Sequence, residues 1–520
     1  MTHTLVEIAQ GRLQGHESSG VVRFLGIPYA GPVSGAGRWR PAPPARAWTG
    51  VRDAAAYGPR AIQLVTTARP EIDALHALVA PPAGWRSEQS EDCLNLNVFA
   101  PDRAGTKRPV MVWLHGGGYF GESPPIWWSE GGALTAEQDV VVVTVRHRIG
   151  LMGHLHLADL SPRADLALSG NVSIDDLITA LCWVRANIAA FGGDPGNVTI
   201  FGESGGGAKV CILMNTPAAQ GLFHRAIVQS GPSLQAATRE EATKSALHVL
   251  KALGLDAGDV ERLIDIPTDK ILEVQAALLP IMRSPWETSG KLTGMSPVVD
   301  GDFLPHQPFS PAAMGMASAV PLLIGTNKDE ARILAARPAD AFDMTLERAR
   351  QIMGRSAGPR LDEAWALYSA QTGGGAPSDV FFAYMSDYME RDRSIVLAER
   401  RVRRRAAATF MYFLEFGTDV LGGKLGAPHT LDIPLVFGRA DLGIAGTDPD
   451  RHAVSAAMRA AWAAFAREGE PAGGVLSPWP AYDEDRRATM VFAAPPRLSQ
   501  DPAREARLYW RAGQDPSTAC

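Results

Sequence analysis

The stretch Val198-Thr199-Ile200-Phe201-Gly202-Glu203-Ser204-Gly205-Gly206-Gly207 decides how the rest of the chain is read. Four strand-forming residues run straight into Gly-x-Ser-x-Gly, and a helix-compatible segment, Ala208 to Met214, follows. That order predicts a nucleophile elbow, a sharp strand-to-helix turn that lifts a serine hydroxyl out at the top of a sheet. Gly202 and Gly206, with Gly205 between, leave the turn free of side chains. A helix starting here also aims its unpaired N–H groups at the place where negative charge would develop. Alone the motif carries little: with 52 glycines in 520 residues, roughly 0.3 chance matches are expected. Its neighbours have to supply an oxyanion hole, an acid and a histidine.

Working outward, the chain alternates strands and helices. Upstream, Leu94 to Phe99 and Val140 to Val145 read as strands, and Pro109 to Leu114 is apolar on both faces, as a buried parallel strand is. Between Ile174 and Phe191 the apolar residues Ile174, Leu177, Leu181, Val184, Ile188 and Phe191 recur at helical spacing, and Gly192-Gly193-Asp194-Pro195 ends that helix. Downstream, Ala226 to Gln229, Val320 to Ile324, Thr409 to Phe416 and a last strand at Thr489 to Phe492 are expected, with helices near Arg239 to Leu253, Thr268 to Leu279, Thr345 to Met353, Arg360 to Tyr368 and Ala457 to Ala466. One long helix is expected over Phe382 to Ala407, with Arg400, Arg401 and Arg403 to Arg405 on a solvated face. At the start, Leu5 to Ile8 and Val21 to Phe24 suggest a small antiparallel element, Gly26 to Ala30 irregular surface, and Ile72 to Val79 a short helix. The pattern predicts an α/β fold with a doubly wound sheet. It is read as a single domain over 1–520, with cap insertions near 60–90, 235–318 and 335–407.

Composition removes several function classes. Hydrophobic residues make up 46% and charged residues 20%, as in ordinary globular proteins, and the net charge of -6 gives no reason to expect nucleic acid as a partner. No apolar run reaches the ~18 residues of a membrane span. The polar N-terminus, Met1 to Ile8, is not read as a secretory signal, and the four cysteines, Cys93, Cys182, Cys211 and Cys520, do not form a disulfide framework. A cytoplasmic setting is expected. Metal and cofactor motifs are missing, so neither a metal nor a cofactor is expected. Oligomeric state is not readable.

A serine nucleophile needs a base, a carboxylate behind the base, and donors for the oxyanion. His115-Gly116-Gly117-Gly118 follows a buried strand, so the N–H groups of Gly117, Gly118 and Gly205 are the expected donors. Gly325 to Glu330 follows a strand and places Asp329 and Glu330 at the sheet edge where α/β proteins bind ligands; spacing does not choose between them. His429, in a loop after a later strand, is the favoured base over His147, His154 and His156.

With these residues in view, the chain resembles the type-B carboxylesterases from about Val6 to Phe492. The likeness rests on Phe24 to Ala30, Ser90 to Val98, His115 to Gly118, Phe191 to Gly206 and Val298 to Gly301. The resemblance implies an α/β-hydrolase fold, Ser204 as nucleophile, Glu330 as acid and His429 as base. It also implies a gorge with candidate wall residues Tyr119, Phe120, Trp127 and Trp128. Ion pairs Arg38–Glu91 and Arg148–Asp176 would brace the surrounding loops, and Glu203 would support the site without reacting. The chain departs from the family in four places: Ala61 where a cysteine partner of Cys93 is usual, Gly205 for alanine, Leu177 for glutamine, and His154 for an aromatic. Gly205 is expected to add backbone freedom. The expected activity is hydrolysis of a small-molecule ester, rising with pH as the histidine loses its proton near about 6 to 7. The alternatives are an amide, carbamate, lactone or bulky polyester or toxin-ester hydrolase on the same fold, and a non-catalytic binding homologue.

Overall fold

Apolar, β-branched runs form the strands, and each ends where glycine or a polar cluster interrupts it. The computed structural model describes residues 4–513 except 65–77, 79–87, 104, 106, 123–125, 280–281, 284–291, 294, 336–339, 472 and 477. The expected helix at Ile72 to Val79 falls almost wholly outside the described residues. The chain divides into two compact units: the first holds 1–66, 83–227 and 233–317, the second 67–82, 228–232 and 318–520.

In the first unit, β1 (His16–Ser18), β2 (Val21–Pro28), β3 (Asn95–Pro101), β4 (Arg108–Leu114), β5 (Val141–Val145) and β6 (Gly193–Glu203) lie in the order β6-β4-β5-β3-β2-β1. β6, β4 and β5 run parallel, with Ile200 opposite Val112 and Val112 opposite Val143. β3, β2 and β1 pair antiparallel to their neighbours. The parallel strands are buried on both faces, which is why Val110 to Leu114 and Val141 to Val145 lack alternation. α1 (Val172–Asn187) buries Ile174, Leu177, Leu181 and Val184, and passes through a 3₁₀ turn to Gly192, whose φ of 81° is the left-handed close expected of that glycine. α2 (Gly205–Met214) follows β6 and is buried on nearly every face. Another helix, Arg239–Ala252, starts at a capping box between Thr238 and Glu241.

Two expectations for the N-terminal region are corrected. Leu5–Ile8 pairs with Gly11–Gln14, whereas Val21 and its successors join the larger sheet. Gly26 to Ala30 is not irregular surface: β2 continues to Pro28, and Ile27, Tyr29 and Ala30 are buried. Gly26, at a φ of 66°, supports the register shift between Phe24 and Ile27, so a bulged strand read as a loop.

The strand β7 (Arg225–Gln229) begins in the first unit and ends in the second. The second unit carries β8 (Leu322–Asn327), β9 (Thr409–Leu414) and β10 (Ala488–Phe492) in parallel, with β11 (Arg497–Gln500) antiparallel on β10. Thr489 to Phe492 is therefore not in the last strand. The expected long helix is interrupted: α3 (Pro377–Ser386) and α4 (Asp392–Arg403) are joined by a π turn over Asp387–Arg391. Nor is its arginine cluster simply a solvated face. Arg401 is fully buried, donating to Thr409 Oγ1 and to the Val320 carbonyl, while Arg403 reaches Glu484. α5 (Asp450–Glu468) extends well past the expected Ala457 to Ala466 and buries Val454, Met458, Trp462 and Phe465. Among the described residues, no helix is long and apolar enough to cross a membrane.

Candidate active site

Ser204 stands between β6 and α2 with φ 56° and ψ -124°, a conformation that costs an L residue of order 1–3 kcal/mol and is held by its surroundings. What holds it is close packing of glycine backbones. A Cβ on Gly206 would lie 2.0 Å from the Leu114 carbonyl oxygen, and one on Gly202 would lie 2.5 Å from the Gly206 carbonyl carbon. The sequence pattern thus has a steric cause: α2 starts hard against the end of β4.

The loop leaving β4 carries Gly117 and Gly118, both at positive φ (88° and 62°), and closes through Gly121 N–H to the Gly117 carbonyl at 3.0 Å. A Cβ at position 205 would meet the Gly118 oxygen at 2.1 Å. Gly205 is therefore a place of close backbone approach. Gly118 and Gly205 meet at the start of α2, the helix end whose dipole favours negative charge.

Tyr119 follows this loop, buried, with its ring edge-on to His154 at 5.2 Å. Trp127 and Trp128 are buried on a short 3₁₀ turn, while Phe120 is 40% exposed. The neighbouring loops are tied by charge. Arg38 Nε donates to Glu91 Oε2 at 2.8 Å and its Nη1 to the Ile266 carbonyl at 2.6 Å. Burial works against the Glu91 carboxylate, but Arg38 and Thr268 outweigh it and hold its pKa below the ordinary range. Arg148 grips Asp176 with both Nε (2.8 Å) and Nη2 (2.6 Å), both residues being buried. Glu203, beside the serine, is fully buried. Cys93 and Ala61 line one small cavity with Arg38 and Arg148, and Cys93 is a free thiol.

In the second unit, β8 extends to Asn327, so the two acidic residues emerge directly at its end. They part company there. Asp329 accepts from Ala427 N–H at 3.0 Å and from Arg332 Nε at 3.2 Å, clamping the loop that carries the histidine. Glu330, fully buried, reaches His429 Nδ1 with Oε2 at 2.5 Å, while its Oε1 accepts from Ser230 Oγ at 2.5 Å and Asn327 N–H at 2.7 Å. A carboxylate on Nδ1 fixes the tautomer that leaves Nε2 as proton acceptor. The other histidines are bound differently. His147 Nδ1 faces the Arg148 carbonyl and Ser173 Oγ, His154 Nδ1 faces the Gly170 carbonyl, and His156 faces Asp159, which Arg239 already holds.

Three residues escaped sequence reasoning. Ser230, at a φ of 46° beyond β7, supports Glu330. Asp432, three residues after His429, accepts from Gln229 and Tyr412, and burial pushes its carboxyl pKa up. Lys209, on α2, is wholly buried. Only Asp432 had a local signal, its place within the histidine block. Among the described residues, no group of three His, Cys, Asp or Glu side chains is placed to hold a metal ion.

The chain is similar to known proteins over nearly its whole length. The para-nitrobenzyl esterase of Bacillus subtilis (strain 168) is 33% identical over 518 residues, covering 98% of each chain. The phenmedipham hydrolase of Pseudarthrobacter oxydans is 31% identical over 499 residues, covering 94% of this chain and 95% of that protein. The crystal structure of the Geobacillus stearothermophilus carboxylesterase matches with a TM-score of 0.82 at 35% identity, covering 98% of this chain and all of the other. The fold is that of the α/β-hydrolases. The model of the carboxylesterase family matches residues 2–510. The protein is an enzyme of the type-B carboxylesterase family, hydrolases that act on esters.

Proposed function

We propose that this carboxylesterase hydrolyses small to medium, fairly apolar esters through a Ser204–His429–Glu330 triad and an acyl-enzyme intermediate. Ser204 Oγ attacks the ester carbonyl carbon while His429 Nε2 takes the hydroxyl proton. The carbonyl π pair moves onto oxygen, which the N–H groups of Gly117, Gly118 and Gly205 receive. As the C–O single bond breaks, the imidazolium returns its proton to the departing alcohol. Water, deprotonated by the same nitrogen, then attacks the acyl-serine; the bond from the acyl carbon to Ser204 Oγ breaks, the imidazolium returns its proton to that oxygen, and the acid is freed. Glu330 keeps the imidazole in its working tautomer and stabilises the imidazolium.

The observation that carries this reading is the 2.5 Å contact between Glu330 Oε2 and His429 Nδ1, in a chain whose serine sits at a strained elbow beside two glycines with positive φ. The buried Tyr119, Trp127 and Trp128, with Phe120 outermost, supply apolar wall for the acyl or alcohol group. The test is turnover of para-nitrophenyl esters of graded acyl length, beside the matching anilide. Short and medium esters are expected to turn over, Ser204→Ala to be inert while still folded, and the anilide to react far more slowly. Undiminished turnover by Ser204→Ala would remove the assignment. Faster cleavage of the anilide would move it to amides.

A further inference from the structure

A lysine is buried directly behind the glycine loop. Lys209 lies on α2, five residues after Ser204, with no exposed surface, and its Nζ donates to the main-chain carbonyl of His115 at 2.9 Å. His115 is the first residue beyond β4 and leads into Gly117 and Gly118. One side chain therefore ties the helix that begins at the serine to the loop that carries two proposed oxyanion donors. Among the described residues, no carboxylate is ion-paired with this lysine.

The ionisable groups around it come from four elements. His115 extends from β4, His147 follows β5, His154 closes the short helix Gly150–His154, and Glu122, beyond the glycine loop, is paired with Arg146. The rings of His115 and His147 stack, with centroids 4.7 Å apart and planes 13° from parallel. Burial, and secondarily the lysine's own charge, holds all three imidazoles below their ordinary pKa range, so they stay neutral. Burial likewise pulls Lys209 down to about 7, with Glu122 opposing. A charge kept out of water without an ion partner weighs against folding, and a methionine would fill similar space without that penalty. Its compensation is to be sought in the loop it grips.

We propose that Lys209 is a positioning residue of the esterase: through the His115 carbonyl it fixes the Gly117 and Gly118 N–H groups and, while protonated, adds positive field to the oxyanion they receive. This rests on the esterase reading above. The test is kcat and KM for para-nitrophenyl butyrate, measured from about pH 5.5 to 9.5 on the intact protein and on Lys209→Met. The variant is expected to lose roughly tenfold to hundredfold in kcat at pH 6.5, with KM within about twofold. Wild-type kcat should fall on the alkaline side as the lysine loses its proton near 7, and the variant should lack that fall. A Lys209→Met enzyme with wild-type kcat and an unchanged profile overturns the proposal. So does a wild-type kcat that stays flat across the alkaline range, which needs no variant to fold. In both cases the triad reading stands, because the wild type still turns ester over and Ser204→Ala does not. A wild type inert toward every ester fails the triad reading first.

Discussion

At Gly205 a single added side-chain atom would collide with the backbone of the glycine loop after β4. Adding a methyl there brings carbon to 2.1 Å from the Gly118 oxygen, and the backbone must move to relieve it. Gly205→Ala should therefore lower kcat by roughly tenfold to hundredfold, as sub-ångström misplacement of oxyanion donors does, while the protein remains folded by circular dichroism. Glu330→Gln keeps the shape but offers His429 Nδ1 an amide, releasing the tautomer; kcat should fall by about a thousandfold or more, measured on para-nitrophenyl butyrate. Lys209 makes a linkage prediction of definite sign. Its folded pKa, about 7, lies below the unfolded value, so between the two the unfolded chain binds more protons and stability rises with pH. The stability gain of Lys209→Met over wild type, read from urea midpoints, should be largest below pH 7 and shrink by up to about 1.4 kcal/mol per unit above it. A gap that does not change with pH would contradict the depressed lysine. The residues proposed to react could be picked out in the sequence because each stands in a local motif or block. Lys209 and Ser230 were not, since burial and partners distant in sequence leave no mark on neighbouring letters.

The elements were legible wherever periodicity was strong, and misread where a bulge, a π turn or a solvent-free charge broke the pattern. Val172–Asn187 follows its hydrophobic spacing closely, and the parallel strands follow their unbroken apolar runs. The second half of β2 was lost to Gly26 and Pro28, punctuation that usually ends a strand but here marks a bulge. Arg401 reads as surface because its type is normally exposed, yet its guanidinium satisfies the carbonyls of Val320 and Ala407 in the interior. The buried Arg148–Asp176 pair fixes the loop after β5 to α1. Removing one partner leaves a buried charge, so Asp176→Asn should cost about 3–5 kcal/mol in urea unfolding. The joint replacement Arg148→Met with Asp176→Leu should recover most of that. A single variant as stable as wild type would show that the pair braces nothing.

Across the whole molecule, the match over residues 2–510 fixes the family and the fold, and what the chain adds is local chemistry on that scaffold. A glycine replaces the usual alanine beside Ser204, a free Cys93 shares a small cavity with Ala61 where a disulfide partner is usual, and Lys209 bonds to the start of the glycine loop. In the proposed mechanism His429, held by Glu330, activates Ser204. Labelling with a fluorophosphonate, which reacts with an activated serine, followed by peptide mass mapping, reads this activation out. One adduct is expected, on the peptide carrying Ser204, with turnover lost in proportion to labelling, and labelling slowed by about a thousandfold in His429→Ala. An adduct on another residue, or Ser204 labelled at the wild-type rate in His429→Ala, would contradict it.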